Sequence, residues 1–126
     1  MRLATFAAGL LAIGLLGGCV APSRFEWGGY EGGLYAYAKK PEQRAAYRRT
    51  LEEAIKRGRA TNRVAPGLLA ELGYLHLEDG DVSGAVSLFE EEMRLFPESR
   101  KLMTDVITRA TAKPAEAASI PAEAKS

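Results

Sequence analysis

The chain has 126 residues, 17 Lys and Arg against 16 Asp and Glu for a formal charge of +1, one histidine and one cysteine. A near-neutral chain gives no electrostatic reason for nucleic acid as a partner. A single His and a single Cys exclude a His/Cys metal cluster and an intramolecular disulfide.

Met1-Arg2 supplies one positive charge, and Leu3 to Leu16 follows without a charged residue. That run is shorter than the roughly 20 residues a spanning helix needs and has the size of the apolar region of a signal peptide. Leu16-Gly17-Gly18-Cys19 comes next. It resembles the lipobox of bacterial lipoproteins, in which a Leu, two small residues and a Cys mark the point of lipidation and cleavage. The glycines leave the backbone unobstructed at the cut. The alternative is an uncleaved anchor helix with an incidental cysteine. The resemblance implies that residues 1–18 are removed and that Cys19 carries lipid, tethering the chain to a membrane. Each buried methylene is worth about 0.8 kcal/mol, and stable anchoring takes more than one acyl chain, as such lipoproteins have. Val20 stands where inner-membrane-retained lipoproteins often have Asp, which implies the periplasmic face of the outer membrane.

Residues 19–29 read as lipidated N-terminus and linker, and 30–111 as one helical domain. No alternation of apolar and polar residues marks a strand, whereas apolar residues recur at spacings of three and four. Helices are predicted at about 30–39, 42–58, 66–78, 82–96 and 99–111. Pro41 suits the first turn of the second. Gly58 is placed to end it and Pro66 to open the third, while Asp81 and Ser99 are placed to cap the fourth and fifth. The class is all-α. Residues 112–126, rich in alanine and interrupted by Pro114 and Pro121, read as a disordered tail.

Charge is segregated along the domain. Arg24 to Arg63 holds 10 basic and 5 acidic residues, and Val64 to Ser99 holds 1 basic and 8 acidic. Two readings stand: a pair of solvated faces, or poles that orient docking or self-association.

Pro66 to Ser99 spans 34 residues, the period of the tetratricopeptide repeat. Leu72-Gly73 falls where that repeat has its Leu-Gly pair, and Gly80 falls at the turn. Ala85, Phe89 and Pro97 follow 12, 16 and 24 residues after Gly73. Gly73 and Ala85 are small where two helices cross, and Phe89 lies one turn beyond Ala85 on the same face. Leu69 and His76 replace the usual Trp and Tyr, and Glu92 stands where a small apolar residue is preferred, weakening the packing. The resemblance implies a short tetratricopeptide-like helical solenoid, with the first two helices as a compressed partner repeat and the last as a cap. A solenoid unit needs neighbours to bury its apolar faces.

Trp27 to Tyr37 packs four aromatics and four glycines into 11 residues. One reading is an aromatic first helix plugging the end of the solenoid. The other is a recognition patch of Trp27, Tyr30 and Tyr35 that orders on docking, since Trp and Tyr are enriched in binding hot spots. The lipobox, this aromatic segment and a repeat ending Phe96-Pro97-Glu98-Ser99 together resemble a family of short bacterial lipoproteins of unknown function, over about residues 19–111. Members are similar to accessories of curli-secretion-channel-like lipoproteins, which implies such a lipoprotein as partner.

Chemistry is sparse. His76 reads as structural, and Glu78, Asp79 and Asp81 lack the ligand spacing of a calcium loop. No serine has a base placed beside it by a motif, and no phosphate or dinucleotide loop occurs. The expectation is a binding protein, not an enzyme, with no cofactor, no metal and no small-molecule substrate. If its groove resembles that of peptide-binding tetratricopeptide proteins, Tyr74, Leu77 and Glu78 line it and Ala70 leaves room. The expected role is a lipid-anchored interaction module assisting an outer-membrane lipoprotein complex. The alternatives are a pilotin-like carrier of secretin subunits, a regulator of a cell-wall enzyme, and a structural oligomer.

Overall fold

The computed structural model describes residues 23–112. The apolar N-terminal run, Cys19 and the tail from residue 113 onward lie outside the described residues. Five helices follow one another: α1 (Tyr30–Lys39), α2 (Arg44–Thr61), α3 (Leu68–Glu78), α4 (Val82–Leu95) and α5 (Arg100–Thr111). Short 3-10 turns at Pro41–Gln43 and Pro97–Ser99 lead into α2 and α5. Each helix packs on the next along the chain. The fold is all-α; among the described residues the β-type pairing is an isolated parallel bridge between Glu26 and Val64. No described helix is long and apolar enough to cross a membrane.

Most start and stop signals act as expected. Asp81 caps α4, its Oδ1 accepting from the Gly84 N–H at 2.9 Å, which satisfies one of the unpaired donors of a helix start. Gly80 makes the turn before it at φ 80°. Three ends differ. Helix α2 passes Gly58 and runs to Thr61, where Asn62 closes it in the left-handed region at φ 53°, a conformation Asn tolerates. Gly58 is a packing residue instead, since a Cβ there would stand 2.7 Å from Val64 Cα. Helix α3 begins at Leu68, two residues after Pro66, and Ser99 makes no side-chain cap bond.

The core has two parts that share α3. Tyr47, Leu51, Ala54 and Ile55 of α2 close on Leu68, Leu69, Leu72 and Leu75. Ala85, Phe89 and Met103 form the second part between α3, α4 and α5. Gly73 is where α3 meets α4: a Cβ would lie 2.5 Å from Phe89 Cε1, well inside the 3.5–4.0 Å at which carbons attract.

Glu92 corrects the sequence reading. It does not weaken the packing as a misplaced polar residue, because it caps a neighbouring helix. The side chain is buried, and Oε1 accepts the Gly67 N–H at 2.8 Å. Gly67 has no side chain with which to cap α3 itself, so a donor at that helix start turns to a carboxyl oxygen from α4. Oε2 has no hydrogen-bond partner. Burial pushes the Glu92 carboxyl above its ordinary range, against the opposing pull of the bonds it accepts.

The segregated charges close on one another within the monomer. Arg44 meets Glu78 at 3.1 Å and Asp79 at 2.9 Å, Arg48 meets Asp79 at 2.6 Å, and Arg59 meets Glu91. Basic α2 lies along the acidic α3–α4 pair, so the two stretches face each other.

Candidate interaction surfaces

The aromatic segment starts before α1. The Glu26 N–H donates to the Arg63 carbonyl at 2.7 Å, and the Glu26 carboxylate meets Arg57 at 3.4 Å, which lays residues 25–29 against the end of α2. A row of rings follows from this. Phe96 stands 6.3 Å from Phe25, Phe25 6.4 Å from Trp27, and Trp27 5.8 Å from Tyr30. Tyr30 is 6.3 Å from Tyr47, which stacks on Tyr37 at 5.2 Å. All five separations are those of attractive aromatic pairs.

The predicted patch residues divide. Tyr30 is half-buried, and its hydroxyl donates to Glu71 Oε1 at 3.1 Å while that of Tyr47 donates to Oε2 at 2.6 Å. Burial, with the Glu71 charge, raises the pKa of both hydroxyls. Tyr30 thus serves the packing. Trp27 is 40% exposed and Tyr35 67%, and the Lys39 ammonium sits 5.5 Å from the Tyr35 ring centre. Helix α1 is formed in spite of its glycines, since Gly33 lets it approach α2, where a Cβ would come within 3.2 Å of Thr50.

On α3 the predicted groove residues also divide. Tyr74 sits edge-on to Phe89 at 5.4 Å and is 41% exposed. Leu77 and Ala70 pack on the second core beside Val106 and Ile107 of α5. Glu78 turns the other way, to Arg44 on α2. Tyr74 and Leu77 are therefore brought together on the α4/α5 side, and Glu78 is not. Leu102 of α5 is 59% exposed.

The acids around Gly80 are occupied. Glu78 and Asp79 hold arginines, and Asp81 takes the Gly84 N–H and His76 Nδ1, the latter at 2.7 Å. The Gly84 N–H, together with His76, holds the Asp81 carboxyl below its usual range. His76 is a positioning residue for the α4 cap. Among the described residues no three His, Cys, Asp or Glu side chains gather as metal ligands.

Sequence reasoning missed one feature, a cleft of about 690 Å³ where the segment before α1 meets the end of α4. Phe25, Val64, Leu95 and Phe96 supply its apolar wall, and Arg24, Arg59, Arg94, Glu91 and Glu98 its polar edge. The bond from Arg59 holds the Glu91 carboxyl below its usual range. The lining comes from three separate stretches of chain, none of them distinctive alone, so no local pattern announces it.

A family described as a domain of unknown function (DUF4810) matches residues 25–106, well over half of the chain. The chain belongs to the DUF4810 family. No curated protein and no solved structure matches it. The DUF4810 match begins at Phe25, so residues 25–29 and the first ring of the aromatic row fall inside it, and it ends at Val106 within α5.

Proposed function

We propose that this DUF4810 protein is a lipid-anchored interaction module on the periplasmic face of the outer membrane, assisting assembly or stability of a lipoprotein complex there. Leu16-Gly17-Gly18-Cys19 behind an uncharged run supports the signal peptide and the anchor. The α3–α4 hairpin supports a tetratricopeptide-like unit, with Gly73 under Phe89 and a left-handed Gly80 at the turn. Helices α1 and α2 before it and α5 after it then make a short solenoid.

The observation that carries the interaction reading is the α3 face. Tyr74, an aromatic with 41% of its surface open, stands on a rigid helix beside Leu77, and exposed tyrosines on rigid supports are typical binding anchors. The acids of the neighbouring turn are engaged by arginines and His76, which supports binding over catalysis. The partner class is an envelope protein, with a curli-secretion-channel-like lipoprotein as the leading candidate.

The test is purification of the tagged protein from membranes in mild detergent, with mass spectrometry of what accompanies it. Stoichiometric recovery of an envelope lipoprotein is expected, and Tyr74→Ala abolishes it while leaving the helical circular dichroism unchanged. Undiminished recovery with Tyr74→Ala refutes the α3 face, and recovery of a secretin replaces this reading with a pilotin. Labelled fatty acid is incorporated into the wild type and not into Cys19→Ala.

A further inference from the structure

We infer that the cleft between Phe25 and Phe96 is a seat for the phosphodiester of an anionic lipid headgroup, and that it fixes how the domain sits on its membrane. The cleft has the chemistry of an interface. Its wall is aromatic and aliphatic, and its edge carries guanidinium groups. Arg59 is engaged by Glu91. Arg24 rests its guanidinium 5.4 Å from the Phe25 ring centre. Arg94, with 70% of its side chain exposed, touches Glu91 only at 3.9 Å. Arg63 stands behind them, its Nε donating to the Arg24 carbonyl at 3.5 Å. The lining of the cleft sets three arginines, Arg24, Arg59 and Arg94, against two carboxylates, Glu91 and Glu98. The balance at this edge is positive although the chain as a whole is near neutral.

Arginine suits the role because its planar fork bonds two phosphate oxygens at once and gives up hydration more readily than an ammonium does. Trp27 completes the surface. It sits 6.4 Å from Phe25 and is 40% exposed, and tryptophan is enriched where membrane meets water. The position argument rests on the lipid anchor proposed above. Five steps of chain separate Cys19 from Arg24, a reach of at most about 17 Å when fully extended. An anchor at Cys19 thus keeps the cleft next to the membrane and leaves enough slack for its arginines to meet the headgroups.

Trp27 is the one tryptophan in the chain, so its emission reports on this end of the molecule alone. Full-length protein in neutral detergent is titrated with dihexanoyl phosphatidylglycerol, kept below its micelle concentration. Dihexanoyl phosphatidylcholine and inorganic phosphate are run in parallel. A saturable blue shift is expected with phosphatidylglycerol, tighter than with either control. Arg24→Gln and Arg94→Gln, both at exposed positions, each weaken it about fivefold, with circular dichroism unchanged. An equal response to the two lipids, or indifference to both substitutions, overturns the proposal. Phosphate binding as tightly as the glycerol lipid overturns the lipid source, and no response overturns the site. Mass spectrometry of the same sample reads acylation of Cys19 separately. An unacylated chain that binds phosphatidylglycerol keeps the headgroup site and loses the anchor, and an acylated chain that fails to bind it does the reverse.

Discussion

Replacing Glu92 tests the account of how α3 begins. Glu92→Ala removes the acceptor from the Gly67 N–H, and loss of a helix cap costs about 0.5–2 kcal/mol. It also removes one buried methylene, at about 0.8 kcal/mol. Relief of the unpartnered Oε2 returns about 1–3 kcal/mol, so the terms nearly cancel and Glu92→Ala changes stability by less than about 2 kcal/mol in either direction. Glu92→Gln keeps the acceptor and removes the buried charge. The sign with pH follows from the raised native pKa of Glu92. Above the ordinary carboxyl value of 4.5 the unfolded chain releases a proton that the folded chain retains, so stability falls as pH rises through that window. Urea unfolding followed at 222 nm checks this from pH 4 to pH 8. The wild type is expected to lose stability relative to Glu92→Gln as pH rises. A wild type that gains relative to Glu92→Gln over the same range would mean that the buried anion is the preferred state, and the reasoning would be wrong.

Three further outcomes are expected. Gly73→Val drives side-chain atoms into Phe89 and destabilises the domain by about 1–3 kcal/mol, read by urea unfolding. Glu91→Gln removes the partner of half-exposed Arg59 and costs at most about 1 kcal/mol. Because the Glu91 carboxyl is held below its ordinary 4.5, that contribution is present above 4.5 and disappears as pH falls through the folded value, so the two proteins converge in acid. Tyr47→Phe removes the 2.6 Å bond to Glu71 at about 1.5–3 kcal/mol for a hydrogen bond to a charged group. Because Tyr30 shares the same carboxylate, the double substitution with Tyr30→Phe is not additive, and a double-mutant cycle measures the coupling.

The helices were legible because their signals are local. Asp81 beside a turn glycine, Pro41 at a first turn, and apolar residues three and four apart each act within a few residues. Gly73 and Phe89 were legible as well, since a small residue on one helix and an aromatic sixteen residues later on the next mark a close crossing. What escaped depends on pairings across the chain. Glu92 looked like a misfit because its partner, the start of α3, lies 25 residues earlier. Gly58 looked like a stop because the Val64 backbone that it admits comes after a turn. The charge blocks showed as blocks, but only the packing of α2 along α3 and α4 makes them partners. Tyr30 and Tyr35 look alike in sequence and differ in that one reaches Glu71 and the other reaches solvent.

Helix α5 contributes a single fully buried side chain, Met103. Its twelve residues are about the length at which an isolated helix is still marginal in water. By that measure the two ends of the domain are the least secure, α1 with no fully buried side chain and α5 with one. Amide protons of α1 and α5 are expected to exchange with solvent before those of α2 and α4, read by hydrogen–deuterium exchange. Each opening of α5 bares Phe89, Ala70 and Leu77 in the same instant. What α5 lays over that face is Met103 with Val106 and Ile107, so the shielding of the second core rests on three side chains of the last helix.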